Sequence, residues 1–242
     1  MILAAGLGTR LKPITDHKPK ALVEIGGMPM LERVILLMKR QGVDYIVINV
    51  HHFYEQILEF LSKRDYGIEI KISEEIDELL DTGGGIVKAK KLLFKKDDNP
   101  VLIHNVDILS NAELTNVMSA FEKETTLLIN DRDSSRKLIF DKYMNLKGWH
   151  DLKNEKKRCL SKIDKIDESL GLKEFAFSGI YKMTRASIEE MEDLMGKGKF
   201  SVMDYFLHLK RKENIIGLKE DHLEIIDIGK PATLQQASQL YK

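Results

Sequence analysis

One cysteine, Cys159, in 242 residues leaves no partner for an internal disulfide and no thiolate cluster for a metal. That economy suits a reducing compartment. Charge of one sign is not in excess either: 38 basic side chains balance 38 acidic ones, so no net field favours nucleic acid or an anionic membrane. No apolar run approaches the ~18 residues of a membrane span. No charged segment precedes the short apolar start, as a secretory signal would require. The seven histidines lack a zinc spacing: His51 and His52 end one apolar run, and His104 sits inside another, where packing is expected. Internal repeats, low-complexity tracts and a nucleophile constellation are also missing. These absences predict a cytoplasmic protein with small-molecule partners, no nucleic acid and no membrane. The length allows one large α/β domain with a substantial core.

What is present is a rhythm. Leu31, Val34, Ile35 and Met38 fall at helical spacing and Gly42 follows them, which predicts an amphipathic helix with a glycine stop. The next run, Tyr45 to Val50, is nearly all apolar, as a strand covered on both faces of a parallel sheet should be. Helix and strand then alternate: Ile57 to Leu61, Ile68 to Ile72, Val87 to Leu93, Val101 to Val106, Leu114 to Phe121 and Thr126 to Asn130. Such alternation predicts a doubly wound sheet whose ligands bind beyond the carboxyl ends of the strands. Residues 132–173 break the rhythm with dense charge, and read as excursion strands and loops, with 150–173 a solvated flap. Phe175 to Met183 predicts a return strand. Helices near 185–195 and 202–212, strands near 215–218 and 223–227, and a last helix opened by Pro231 follow.

The first twenty residues carry the chemistry. Ile2-Leu3-Ala4-Ala5 runs into Gly6-Leu7-Gly8-Thr9-Arg10-Leu11, and Pro19-Lys20 follows. An apolar strand that enters a loop with two glycines, an arginine and a lysine offers backbone N–H groups and fixed positive charge to a polyphosphate. It is not a Walker loop, since no Gly-Lys-Ser/Thr follows, and Leu11 stands where the dinucleotide fingerprint needs a third glycine. Two aspartates end apolar strands: Asp107 in Asn105-Val106-Asp107, and Asp227 in Ile225-Ile226-Asp227-Ile228-Gly229-Lys230-Pro231. Each reads either as a cap or turn residue or, together, as the one or two carboxylates that Mg²⁺ prefers. The stretch from Ser73 to Ile86 joins acidic residues to Thr82 and Gly83-Gly84-Gly85 at a helix start. Three glycines there cost stability unless close approach is required.

The run Gly6 to Lys20, with Pro13 and Thr15 inside it, closely resembles the signature of the sugar-1-phosphate nucleotidylyltransferases, the NDP-sugar pyrophosphorylases. The resemblance implies a Rossmann-like three-layer αβα fold with a mostly parallel mixed sheet. It implies one domain over 1–242, with a nucleotide-binding half at 1–131 and a sugar-binding half at 132–242. It also implies a Mg²⁺-dependent reaction of an NTP with a sugar-1-phosphate to give NDP-sugar and pyrophosphate. Arg10 would stabilise the departing pyrophosphate, Lys20 would neutralise the α-phosphate and the attacking phosphate, and Asp107 with Asp227 would hold Mg²⁺. Leu3, Ala4, Gly6, Gly8 and Thr9 would cradle the nucleotide. Ser73-x-Glu75, with Glu78 as the alternative, and Thr82-Gly83 would lie beside the base. Gly84, Asn105 and the Phe177-Ser178-Gly179-Ile180 strand would lie beside the sugar phosphate. The chain is most similar to the short bacterial branch acting on N-acetylmuramate-1-phosphate or heptose-1-phosphate. The Glu-Lys-Pro motif with which many relatives hold the sugar phosphate is absent from 132–173. Two other readings stay open: a phosphocholine cytidylyltransferase, which would need an aromatic cage drawn from Trp149 and Tyr181, and a non-catalytic nucleotide-sugar binding protein.

Overall fold

Residues 1–95, 97–160 and 171–241 are described by a computed structural model. Strand β1 (Ile2–Leu3) leads through the glycine loop to a small hairpin, β2 (Glu24–Ile25) and β3 (Met28–Pro29). Then come α1 (Met30–Arg40), β4 (Tyr45–Val50), α2 (Tyr54–Ser62), β5 (Glu69–Glu74) and α3 (Asp81–Leu93). Strands β6 (Val101–Asn105) and β7 (Ile108–Ser110), helix α4 (Leu114–Ser119) and β8 (Thr125–Asn130) follow. The remainder holds β9 (Arg136–Phe140), β10 (Leu146–Asp151), β11 (Lys156–Cys159), β12 (Lys173–Met183), α5 (Arg185–Met195), α6 (Val202–Phe206), β13 (Ile215–Lys219), β14 (Ile225–Asp227) and α7 (Pro231–Leu240).

The central sheet is mixed. Strands β5, β4, β1 and β6 lie side by side and parallel, and β12 runs antiparallel along β6. From β1 the chain builds outward through β4 and β5 and then returns to β6 on the other side of β1. The strand order therefore reverses at β1, which opens a crevice beyond its carboxyl end. The loop carrying Gly6, Arg10 and Lys20 leaves from that end.

Alternation along each strand divides the apolar side chains between two faces. Val47, Ile103, Leu127 and Ile129 join the core under α3, α5 and α6. Ile46, Ile48, Leu102 and Leu128 join the opposite core with Leu31, Val34, Ile35 and Met38 of α1. The sheet is thus covered on both sides in three layers, as the continuous apolar runs require. His104 is fully buried; its Nδ1 meets the Asn105 carbonyl at 2.8 Å, and burial pushes its pKa down to about 4, so the ring stays neutral.

Two departures from the sequence reading have physical causes. Residues 136–159 are a three-stranded antiparallel extension, β9–β10–β11, whose Leu138, Ile139, Phe140 and Leu146 are buried, so much of the excursion is folded wall. Residues 161–170 of the expected flap lie outside the described residues. Helix α6 stops at Phe206, well short of 212. Arg211 Nε donates to the Phe206 carbonyl at 3.2 Å, so a side chain satisfies an acceptor that the next helical turn would otherwise use.

Candidate active site

Lys20 opens a single turn of 3-10 helix, Lys20–Leu22, after Pro19, and is only 9% exposed. Its Nζ forms an ion pair with Oδ2 of Asp107, which sits in the two-residue turn between β6 and β7. Strand β14 pairs antiparallel with β7, placing Asp227 opposite Ile108, and the Ile228 N–H donates to the Asp107 carbonyl at 2.8 Å. Asp107 and Asp227 are therefore neighbours across one backbone pairing. Burial first, and the Asp107 charge next, hold the Asp227 carboxyl above the usual carboxylate range, against the pull of Lys20, Arg10 and Arg132. Five charged groups thus converge in front of β1.

Arg10 reaches this cluster because Gly229 leaves it room. A Cβ at position 229 would lie 2.6 Å from Arg10 Nη2 and 2.7 Å from Asp227 Oδ1. Gly229→Ala is expected to displace the ends of both side chains at little cost to folding, since the colliding atoms are flexible tips. Turnover should fall by roughly 10- to 100-fold, the scale of an ångström-sized misplacement, with an unchanged thermal midpoint. Unchanged turnover would show that the position of Arg10 is unimportant.

Three adjoining compartments form one cleft around the cluster. The first, about 270 Å³, has Leu3, Ala5, Gly6, Leu79 and Val106 as apolar or backbone walls, with Lys20 and Asp107 at its floor. The second, about 380 Å³, is bounded by Trp149, Phe177 and Gly179 and by Arg132, Arg136, Lys137 and Arg158, with Asp227 its one acidic group among the described residues. The third, about 620 Å³, is polar and holds Arg10, Arg132, Arg136, Lys153 and Lys230. Asn105 borders the first two, and Arg132 and Asp227 the last two.

Among the residues expected to bind nucleotide, Leu3, Gly6 and Thr82 line the first compartment. Gly8, at φ 66°, shapes the loop: its carbonyl accepts from Leu11 N and Thr15 Oγ1, both at 2.8 Å. Thr9 is exposed on the turn that carries Arg10. Thr82 Oγ1 also accepts from Val202 N at 2.9 Å, tying α3 to the start of α6.

Four expectations need correction. Ala4 is buried, and its N–H is taken by Asn49 Oδ1 at 2.8 Å. Glu75 is fully buried; Oε1 accepts from Asn49 Nδ2 at 2.7 Å and Oε2 from Leu80 N at 2.9 Å, so the carboxylate braces the wall from behind instead of meeting a base. Gly83 and Gly84 face protein: a Cβ on either would strike Phe200 or the Gly198 carbonyl, and the neighbouring Gly85 lies where a Cβ would come within 2.6 Å of Glu75 Oε1. The triplet is needed for packing, and Leu79, Asp81 and Thr82 form the wall in its place. Tyr181 is buried among Phe177 and Phe206, so no aromatic cage pairs it with Trp149.

On the sugar side, Asn105, Ser178 and Gly179 all border the second compartment. Gly179 has φ 81° at an irregularity in the β12–β8 pairing, and a Cβ there would lie 2.9 Å from Asn105 Nδ2. Ser178 Oγ is fully buried and turns back on Ile180. Sequence reasoning missed Arg132, Arg136, Lys153, Lys230 and Gly229. Arg132 closely follows a buried strand, as Asp107 does, but nothing distinguishes it from the charged residues around it.

A glycine loop, two cations and two carboxylates thus gather at the switch point of a mixed sheet in an α/β protein. The chain belongs to the nucleotidyl transferase family, whose model matches residues 1–136. It is 36% identical over 131 residues to the N-acetylmuramate alpha-1-phosphate uridylyltransferase of Caulobacter vibrioides, which covers 51% of this chain and 53% of that protein. It is 40% identical over 111 residues to the mannose-1-phosphate guanyltransferase of Debaryomyces hansenii, over 45% of this chain and 30% of that one. The chain thus spans about half the length of the first of these relatives and less of the second. The fold matches the crystal structure of HddC from Yersinia pseudotuberculosis complexed with GMP-PN, with a TM-score of 0.76 at 24% identity, over 100% of this chain and 98% of that one.

Proposed function

We propose that this protein is a sugar-1-phosphate nucleotidylyltransferase, with residues 1–131 serving the nucleotide and 132–242 the sugar phosphate. The observation that carries this reading is the convergence of Arg10, Lys20, Asp107 and Asp227 beyond β1 in a chain of the nucleotidyl transferase family. An oxygen of the sugar phosphate attacks the α-phosphorus of the NTP. The bond from that phosphorus to the oxygen bridging to the β-phosphate breaks, and pyrophosphate leaves with the electron pair. The nucleophile arrives ionised, so no general base is required and catalysis reduces to alignment and charge neutralisation. Lys20, held against Asp107 at the floor of the first compartment, faces the α-phosphate. Arg10, on the exposed turn beside the polar third compartment, receives the charge that accumulates on the leaving pyrophosphate. Asp107 and Asp227 fit a divalent cation such as Mg²⁺, since two adjacent carboxylates suffice when phosphate oxygens complete the shell. Such an ion would draw charge from the phosphate oxygens as the bond breaks. The relatives named for uridylyl and guanylyl transfer leave both UTP and GTP as donors. The cationic lining of the second compartment disfavours a quaternary amine substrate. A panel of NTPs against several sugar-1-phosphates, read by pyrophosphate release, tests the reading. No release from any pair would overturn it.

A further inference from the structure

The second compartment holds a cation whose hydrogen bonding is incomplete. Arg132 follows β8, and its Nη2 donates to the Phe177 carbonyl at 2.8 Å, which fixes the guanidinium to β12 beside Ser178 and Gly179. Its Nη1 is buried and has no acceptor among the described residues. A desolvated guanidinium with an unmatched N–H is costly to keep unless something accepts from it. Asp227 attracts it; Arg136, Lys137 and Arg158 border the second compartment with it, Arg136 and Arg158 having loose partners in Asp151 at 3.9 Å and Asp204 at 3.5 Å, and Asp133, Lys153 and Lys230 border the third. Arg132 borders the second compartment and, with Arg10, the third, but not the glycine-loop compartment where Lys20 waits.

We propose that Arg132 is the receptor for the phosphate of the acceptor substrate, presenting its oxygens to the α-phosphorus, and that the nucleotide does not use it. The proposal rests on the nucleotidylyltransferase reading for the identity of that acceptor. A planar guanidinium fixed at one nitrogen orients a phosphate as well as attracting it, which a lysine in the same place would not do.

The test uses the whole protein, Arg132→Lys and Arg132→Met. Calorimetric titrations with the 1-phosphates of glucose, mannose, N-acetylglucosamine and N-acetylmuramic acid are run without nucleotide. UTP and GTP are titrated separately, and KM values are measured for any pair that turns over. Sugar phosphate affinity should fall by about 10- to 100-fold in both variants, the scale of one charge-assisted hydrogen bond. Affinity for the NTP should stay within twofold, and the thermal midpoint should hold. Equal losses for NTP and sugar phosphate would overturn the assignment, because Arg132 would then serve the triphosphate. Unchanged sugar phosphate binding, or a wild-type protein that binds none of the four, would overturn it too. A wild type that binds a sugar phosphate through Arg132 but releases no pyrophosphate would leave the site standing and remove the catalytic reading instead.

Discussion

Replacing Lys20 by methionine is expected to lower kcat by roughly 100- to 1,000-fold, the usual cost of removing one fixed charge-stabilising donor, with the fold intact. Methionine keeps most of the buried stem, so the loss isolates the ammonium. The same size of effect is expected for Arg10→Ala, whose side chain is exposed and contributes little to packing. The two should differ in one respect. Lys20 neutralises Asp107 in the resting protein, so its loss leaves two neighbouring carboxylates with less positive charge between them. Lys20→Met should therefore also alter the response to divalent cations, and Arg10→Ala should do so less. Circular dichroism and a thermal melt establish the fold, and steady-state kinetics give kcat. If either variant turns over within threefold of wild type while folded, the phosphate-handling role assigned to these cations is wrong.

The second large effect concerns the carboxylates. Asp107→Asn and Asp227→Asn should each abolish Mg²⁺-dependent turnover, with a loss of at least about 1,000-fold expected where an electrostatic contact is made chiefly in the transition state. Stability should move the other way for Asp227. Its folded pKa is raised by partial desolvation of the carboxyl and by Asp107, an effect that solvent weakens at this exposed residue, so the ionised form lowers stability slightly at neutral pH. The stability this group gives is present below its unfolded pKa and is lost as pH rises through the folded one. Asparagine removes that loss, so Asp227→Asn without metal should melt at or above the wild-type temperature at pH 7. Wild type should gain further on addition of Mg²⁺ with NTP, and the variant should not. An Asp227→Asn protein that still gains, and still turns over, would remove the paired aspartates as a metal site.

Local pattern explains what could be read from the sequence. The apolar runs of β4, β6 and β8 and the amphipathic spacing of α1 each depend on neighbours a few residues away, so they survive in one dimension. The glycine loop is equally local, since its conformation is set by Gly8 and its charges lie within it. Asp107 was legible because a carboxylate at the end of an apolar strand has a place in a parallel sheet before any contact is known, whereas Asp227 was legible only through the family-like run Asp227-Ile228-Gly229-Lys230-Pro231, since its strand pairs antiparallel with β7 outside the central sheet. Glu75 was misread for the opposite reason: it lies in a strongly acidic stretch, and only the tertiary structure shows that Asn49 and the Leu80 N–H claim its carboxylate. Arg132 and Gly229 escaped notice because their significance is relational. One is an arginine among many, made distinct by an unmatched buried nitrogen. The other is a glycine that matters through Arg10, more than two hundred positions away.

The pairing of β14 with β7 has a consequence for how the chain comes to work at all. Asp107 and Asp227 stand 120 positions apart in sequence, and the strand carrying the second is only three residues long. Closing so long a loop carries an entropic cost that so short a strand offsets poorly by itself, so this contact should form late. During synthesis the phosphate loop, Lys20 and Asp107 all emerge with the parallel strands β1, β4, β5 and β6, while the second carboxylate arrives 120 residues later. On refolding from denaturant, recovery of turnover should lag recovery of helical ellipticity, and coincident recovery would contradict this order. An incomplete chain would then hold its substrate-facing loop without the means to use it, and activity would report that the molecule is finished.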